Sequence, residues 1–252
     1  MEHERQVATE IALEAGELVM RYFRAGIPVE QKSDASPVTA ADREAESLIK
    51  ERIAKEFPND SIVGEEFGVS GATSERTWYI DPIDGTRSFI HGVPLFAVLI
   101  GLSIRDESVL GVANFPSTRE LFVASSGGGA FCNDEQIHVG ETKALSESLV
   151  VCGSISSFSK SDRLQGLLRL SESASSVRHW GDAYGHCMVA SGRASAMIDP
   201  IVADWDTCAV SCIVREAGGM ATDFRGKSGF RGGELISCNS HIHAEVLRLF
   251  ES

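Results

Sequence analysis

No stretch of the sequence approaches the roughly 20 consecutive apolar residues of a membrane-spanning helix. Met1-Glu2-His3-Glu4-Arg5 also lacks the basic-then-apolar opening of a secretory signal. A cytoplasmic protein without a membrane partner is expected. Positive charge is in short supply: 23 lysines and arginines face 36 aspartates and glutamates, a formal charge of -13. A surface of that sign repels nucleic acid and anionic lipid, so no nucleic-acid partner is expected. It suits a site loaded with cations, although solubility alone accounts for much of it. The six cysteines, Cys132, Cys152, Cys187, Cys208, Cys212 and Cys238, form no C-x-x-C pair and no zinc-like spacing. They fit reduced core thiols rather than a disulfide framework. Cys208 and Cys212, four apart, need be no more than neighbours on one helix face. Internal repeats and long linkers are missing too, so the chain suits one large domain or two closely packed halves.

What is present is an alternation of patterns. Apolar residues at 7, 8, 11, 15, 18, 19 and 22 recur at helical spacing and predict a helix over 7–23, ended by Gly26 and Pro28. Residues 29–37 are polar and turn-rich, a loop or frayed hairpin able to close over a site. A second helix over 39–57, a short strand at 61–64, a surface excursion at 68–74 and a strand over 78–80 follow. The apolar run 95–104 predicts a buried strand, and the runs at 109–115, 121–124 and 130–132 predict an antiparallel meander. From Ser146 onward, strands at 149–152, 176–179, 194–198 and 235–238 alternate with helices at 163–170, 183–191, 205–217 and 241–250. The fold class is therefore α/β, with an N-terminal half over 1–145 and a C-terminal half over 146–252 that has its own sheet.

The chemistry centres on Trp78-Tyr79-Ile80-Asp81-Pro82-Ile83-Asp84-Gly85-Thr86-Arg87. Pro82 biases Asp81 away from helical dihedrals, so the strand is expected to stop there, with Asp84 on the following loop. Gly85 permits a tight turn, and a short helix over 86–90 would offer unpaired N–H groups to an anion. Two carboxylates beside an anion site repel the anion unless a cation lies between them, which calls for divalent metal and phosphate. Other acidic residues have plain structural explanations as well. Thr39 and Asp42 stand as the two ends of a capping box, Asp206 can cap its helix, and Glu65-Glu66 can be a solvated turn.

Asp81-Pro82-Ile83-Asp84-Gly85-Thr86, with Gly64-Glu65-Glu66 upstream and Trp205-Asp206 downstream, resembles the inositol monophosphatase family of magnesium-dependent phosphatases. The likeness extends over essentially the whole chain, Pro37-Val38-Thr39-Ala40-Ala41-Asp42 included. It implies a layered α/β/α/β/α sandwich, two or three Mg²⁺ ions, a small phosphate ester as substrate and a homodimer. It also implies that Glu65, Asp81 and the Ile83 carbonyl hold one ion, and that Asp81, Asp84 and Asp206 share another. Gly85 and Thr86 would present N–H groups to the phosphate, while the Thr86 hydroxyl, held by Asp42, would help orient the attacking water. Mg²⁺ in such a site neutralises phosphate charge and lowers the pKa of bound water.

Around Arg87, and again at Trp180-Gly181-Asp182-Ala183-Tyr184, the sequence looks more like the histidinol-phosphate phosphatase branch. Asp182 stands where inositol enzymes usually carry threonine, and Asp199 where they usually carry a glutamate that contacts inositol hydroxyls. Asp182 and Asp199 would favour a cationic leaving group over a neutral polyol. Asp182 has the alternative role of a helix N-cap. Arg178 could contact phosphate or be a surface residue, and His179 reads as structural. The resemblance thus implies histidinol-phosphate hydrolysis in histidine synthesis. An inositol or broad sugar-phosphate phosphatase is the alternative, and a non-catalytic binding module is an alternative of another class.

Overall fold

The computed structural model describes residues 1–26, 28–31 and 37–251. Helix α1 (Glu2–Tyr22) begins five residues before the apolar stripe does, its first turn carrying Glu2 and Glu4, which suit a helix N-terminus. Strands β1 (Glu30–Gln31) and β2 (Pro37–Val38) pair antiparallel, the hairpin alternative for this segment; residues 32–36 lie outside the described residues. Helix α2 (Ala40–Glu56) starts at Thr39, whose N–H and hydroxyl both donate to Asp42 Oδ2, at 2.8 and 2.6 Å. Then come β3 (Ser61–Gly64), β4 (Gly68–Gly71), β5 (Arg76–Asp84), α3 (Thr86–Ile90), β6 (Ala97–Ile104), β7 (Glu107–Phe115), β8 (Glu120–Ser125), β9 (Gly129–Cys132) and β10 (Glu135–Ile137). The second part holds β11 (Leu149–Cys152), α4 (Ile155–Lys160), α5 (Leu164–Ser173), β12 (Ser176–Arg178), α6 (Ala183–Ala190) and β13 (Ala196–Asp199). It ends with α7 (Asp204–Glu216), β14 (Met220–Thr222), β15 (Leu235–Cys238) and α8 (His243–Leu249).

Strands β10-β9-β8-β7-β6-β5-β3-β4 form one sheet, antiparallel except where β3 runs parallel to β5. The predicted meander is its β6 to β9 portion. Period-two alternation sends Val98, Ile100 and Leu102 of β6 to one face, against Ile11, Val19, Ile49 and Ile53 of α1 and α2. Ala97 and Leu99 point the other way, into a core with α6 and α7. Strands β12-β11-β13-β15-β14 form a second sheet. Met188 and Val189 of α6 pack on one of its faces, and α4, α5 and α8 cover the other. The result is the expected α/β/α/β/α sandwich.

Helix α7 lies close to the large sheet because Gly101 and Gly111, paired across β6 and β7, carry no side chain there. A Cβ on Gly111 would stand 2.1 Å from the Ala209 carbonyl oxygen, and one on Gly101 would stand 2.7 Å from Cys208 Sγ. This closeness carries the start of α7 to the end of β5.

Two expectations are corrected. Residues 68–71, expected to belong to a surface excursion, form edge strand β4, because β3 offers them a free edge. Strand β5 does not stop at Asp81 but runs to Asp84 through a bulge: Asp81 pairs with Leu99 and Asp84 with Ala97, so Pro82 and Ile83 together oppose Val98. The missing proline N–H falls inside that register shift, where no ladder bond is lost.

Candidate active site

The bulge has a chemical consequence. In a regular strand residues three apart face opposite sides of the sheet, but one extra residue turns Asp84 to the side of Asp81. Asp81 Oδ1 accepts the Ile83 N–H at 2.9 Å, which fixes the kink. Asp206, in the first turn of α7, accepts the Ala203 N–H at 2.8 Å, so its capping role is real. Its carboxylate nonetheless meets the other two. Ligand oxygens of Asp81, Asp84 and Asp206 all lie within 4.8 Å of one another.

Glu65 joins from the turn after β3. Because β3 is parallel to β5, with Gly64 beside Ile80, both strands deliver their C-terminal ends to the same edge. The Glu65 N–H donates to the Ile80 carbonyl at 3.2 Å, and its carboxyl hydrogen-bonds that of Asp81. Gly85 follows at φ +81, where a Cβ would stand 2.9 Å from the Leu95 carbonyl oxygen, so the turn into α3 requires glycine. The Thr86 hydroxyl lies 3.0 Å from the Ile83 carbonyl oxygen and 3.5 Å from Asp42 Oδ1. The shorter contact, to Ile83, is the stronger of the two.

The electrostatics follow from crowding. Burial, then the neighbouring Glu65, Asp84 and Asp206 charges, hold the Asp81 carboxyl far above the usual carboxylate range. Burial and then Asp182 and Asp206 do the same to Asp84, the Ala183 N–H opposing. Burial pushes Asp206 up to about 7, and it raises Asp42 despite the Thr39 hydrogen bonds. Carboxyls whose charged forms are disfavoured by burial and crowding would ionise more readily beside a dication. The donors are all oxygen, a set that suits a hard ion such as Mg²⁺ rather than a thiophilic metal.

Two cavities meet at this point. One, of 210 Å³, is lined by Glu65, Asp81, Ile83, Asp84, Gly85, Thr86 and Arg87, among others. The second, of 270 Å³, shares Asp84, Arg87, Asp182 and Asp206 with it and extends to Asp199 and His186. Asp182 is not the N-cap its position suggests. Its side chain makes no capping bond, its φ is +60, and Asp84 Oδ2 accepts the first N–H of α6 in its place, from Ala183 at 2.8 Å. Asp182 is exposed as a residue, but its carboxyl is turned into the cavity lining, where desolvation raises its pKa and Arg87 opposes the rise. Burial also raises Asp199, with Asp182 and Asp206 adding to it.

Arg178 and Gly181 are not brought to these cavities. Arg178 is exposed and donates to the Val177 carbonyl, while Gly181 packs on Cys152 and Gly153. His179 Nδ1 lies 2.7 Å from the Gly153 carbonyl oxygen, the structural part expected of it. Sequence reasoning missed Ser154, Ser156, Ser157 and Lys160, which line the larger cavity from α4, and His186, held by burial at a pKa of about 3 and therefore neutral. The one available signal was Ser154 after a strand and a glycine, an N-cap that accepts the Ser157 N–H at 3.3 Å. Burial pushes the Cys152, Cys212 and Cys238 thiols up to about 12, so none is a ready nucleophile.

The inositol monophosphatase family model matches residues 1–252. A histidinol-phosphatase of Chlorobaculum parvum is 45% identical over 244 residues, 96% of this chain and 94% of that protein. One of Mycobacterium tuberculosis is 33% identical over 96% of this chain and 95% of its own length. Among solved structures, a Thermotoga maritima IMPase superposes with a TM-score of 0.91 at 33% identity, over 99% of this chain and 97% of that one. With its fold and whole length matched in this way, the chain belongs to the inositol monophosphatase family and is a phosphoric monoester hydrolase.

Proposed function

We propose that the enzyme uses Mg²⁺, two or three ions held by Glu65, Asp81, the Ile83 carbonyl, Asp84 and Asp206, to hydrolyse histidinol phosphate to histidinol and phosphate. The convergence of the three aspartates within 4.8 Å supports the metal part of this reading. When bound, Mg²⁺ supplies charge neutralisation and a lowered water pKa. The chain supplies orientation. Backbone N–H groups of Gly85 and Thr86 hold phosphoryl oxygens, and Glu65 with the Asp42–Thr86 pair aligns the attacking water. Arg87 lines both cavities and would meet the ester where they join.

The substrate assignment is carried by one observation: Asp182 is released from capping and lines the larger cavity with Asp199. Two carboxyls that accept no hydrogen bond among the described residues suit a leaving group bearing an ammonium and an imidazole. The names of the two relatives agree. The likeness to an IMPase structure favours a second reading, an inositol-phosphate or broad sugar-phosphate phosphatase. The enzyme would act in histidine synthesis as a cytoplasmic homodimer; among the described residues no helix is long and apolar enough to cross a membrane. The test is phosphate release measured side by side on histidinol phosphate, inositol-1-phosphate and a nucleotide 3'-phosphate. The first should have the highest kcat/KM; preference for either of the others would overturn the assignment.

A further inference from the structure

Glu46 lies one turn after Asp42 on α2 and has no exposure to solvent. Its two carboxylate oxygens reach across to the turn that carries Glu65. Oε2 accepts the Glu66 N–H at 2.6 Å and Oε1 accepts the Phe67 N–H at 3.0 Å. Lys50 Nζ stands 3.7 Å from Oε1 and donates to the Gly68 carbonyl at 3.1 Å, which ties down the far side of the same turn. Gly64 makes the room, since a Cβ there would stand 2.0 Å from Glu46 Oε1.

Burying a carboxyl group is costly unless hydrogen bonds and a neighbouring cation offset it, and Glu46 has both. A turn between two short strands needs no such device for its own sake; a polar surface turn would serve. What distinguishes this turn is Glu65. Its backbone is held on one side by Ile80 and on the other, through the Glu66 N–H, by Glu46, so the point from which its side chain reaches Asp81 is fixed.

We infer that Glu46 is a positioning residue for the metal site. It fixes the Glu65 turn from α2, so that one helix sets two parts of the site through residues a single turn apart, Asp42 and Glu46. The inference rests on the reading of Glu65 as a metal ligand.

The test is Mn²⁺ binding to the full chain, followed by the electron paramagnetic resonance signal of free Mn²⁺, with the melting temperature of each metal-free variant recorded alongside. Glu46→Gln puts an amide donor against a backbone N–H and should raise the Mn²⁺ Kd roughly 10–100-fold, the range for groups that orient metal ligands. Gly64→Ala, which pushes the Glu46 carboxylate aside without touching it chemically, should do the same. Placed in a Glu46→Ala background, where the colliding group is gone, Gly64→Ala should add less than about twofold. Asp60→Asn is the structural control. Asp60 is a buried carboxylate that accepts from Trp78 Nε1 and Arg76, away from the metal site, and its loss should lower the melting temperature and leave the Mn²⁺ Kd unmoved. Glu46→Gln with a wild-type Kd would overturn the inference, as would an Asp60→Asn protein that loses as much affinity as Glu46→Gln at an equal melting temperature. A wild-type chain that takes up no Mn²⁺ would instead overturn the metal reading itself.

Discussion

Asp84 Oδ2 accepts the Ala183 N–H at 2.8 Å, so a carboxylate at the end of β5 satisfies the first N–H of a helix 99 residues further along the chain. The same atom group does two things: it locks α6 to the large sheet, and it stands among the carboxyls assigned to the metal. Because Asp84 satisfies that N–H, Asp182 is free to face the cavity.

Asp84→Asn separates those duties. An asparagine carbonyl can still accept from Ala183 but carries no charge. Hydrolysis at saturating Mg²⁺ should fall by more than ~100-fold, beyond the loss typical of outer-sphere partners. Relief of like-charge crowding should leave the metal-free variant melting no lower than wild type, by up to ~4 °C higher for roughly 1 kcal/mol. A variant as active as wild type would remove Asp84 from the metal set.

The carboxyl pKa values give a pH dependence with a definite sign. The folded, metal-free state holds the Asp206 proton up to about 7, whereas the unfolded chain releases it near the ordinary aspartate value of 3.8. Asp206 therefore contributes stability that is fully present below the unfolded value and is lost as pH rises toward 7. If Mg²⁺ binds as proposed it displaces that proton, so the rise in melting temperature on adding Mg²⁺ should grow between about pH 5 and pH 8. His186, neutral down to about 3, has the opposite slope but cancels in the comparison with and without metal. Calorimetry in buffers of different ionisation enthalpy should show proton release on Mg²⁺ binding near neutral pH. A Mg²⁺ increment that does not change with pH would contradict the assignment.

Much of this architecture was legible before any coordinates. The stripe from Val7 to Tyr22 forms α1, and the Asp81–Thr86 motif with Glu65 and Asp206 named the residues that the fold gathers. What escaped were features set by tertiary pairing. Strand β4 carries two glycines and no apolar alternation, and it exists because β3 has an edge to pair with. Pro82 argued for a strand end, since a bulge that hides a missing N–H is a property of the pair β5 and β6 rather than of β5 alone. Asp182 was open to two readings, a substrate-facing acid or a helix cap; that Asp84 takes the capping role depends on a contact between distant parts of the chain. Glu46 has no sequence signal of its own, because its partners are backbone N–H groups of a turn 20 residues away.

Asp182→Asn should discriminate between substrates. Asparagine tolerates the positive φ of this position better than alanine does, so the backbone is left in place. Loss of the charge should lower kcat/KM for histidinol phosphate by roughly 10–100-fold, the scale of a hydrogen bond to a charged group, and for inositol-1-phosphate by less than threefold. Equal losses on both would take Asp182 out of the specificity argument.

Gly85→Ala should be costly for a backbone reason. At φ +81, with the Leu95 carbonyl oxygen 2.9 Å from the added carbon, the turn cannot keep its shape. A destabilisation of at least ~1 kcal/mol is expected, together with an increase in KM for the phosphate ester as the Gly85–Thr86 N–H groups move. Unchanged melting temperature and KM would mean that the phosphate lies elsewhere.

The most direct test of the account is phosphate release from histidinol phosphate by the purified chain, first with excess chelator and then with Mg²⁺ restored. The account predicts no turnover with chelator and full recovery on adding Mg²⁺. Turnover that survives the chelator, or a protein inert toward histidinol phosphate and every other ester at millimolar Mg²⁺, would contradict it.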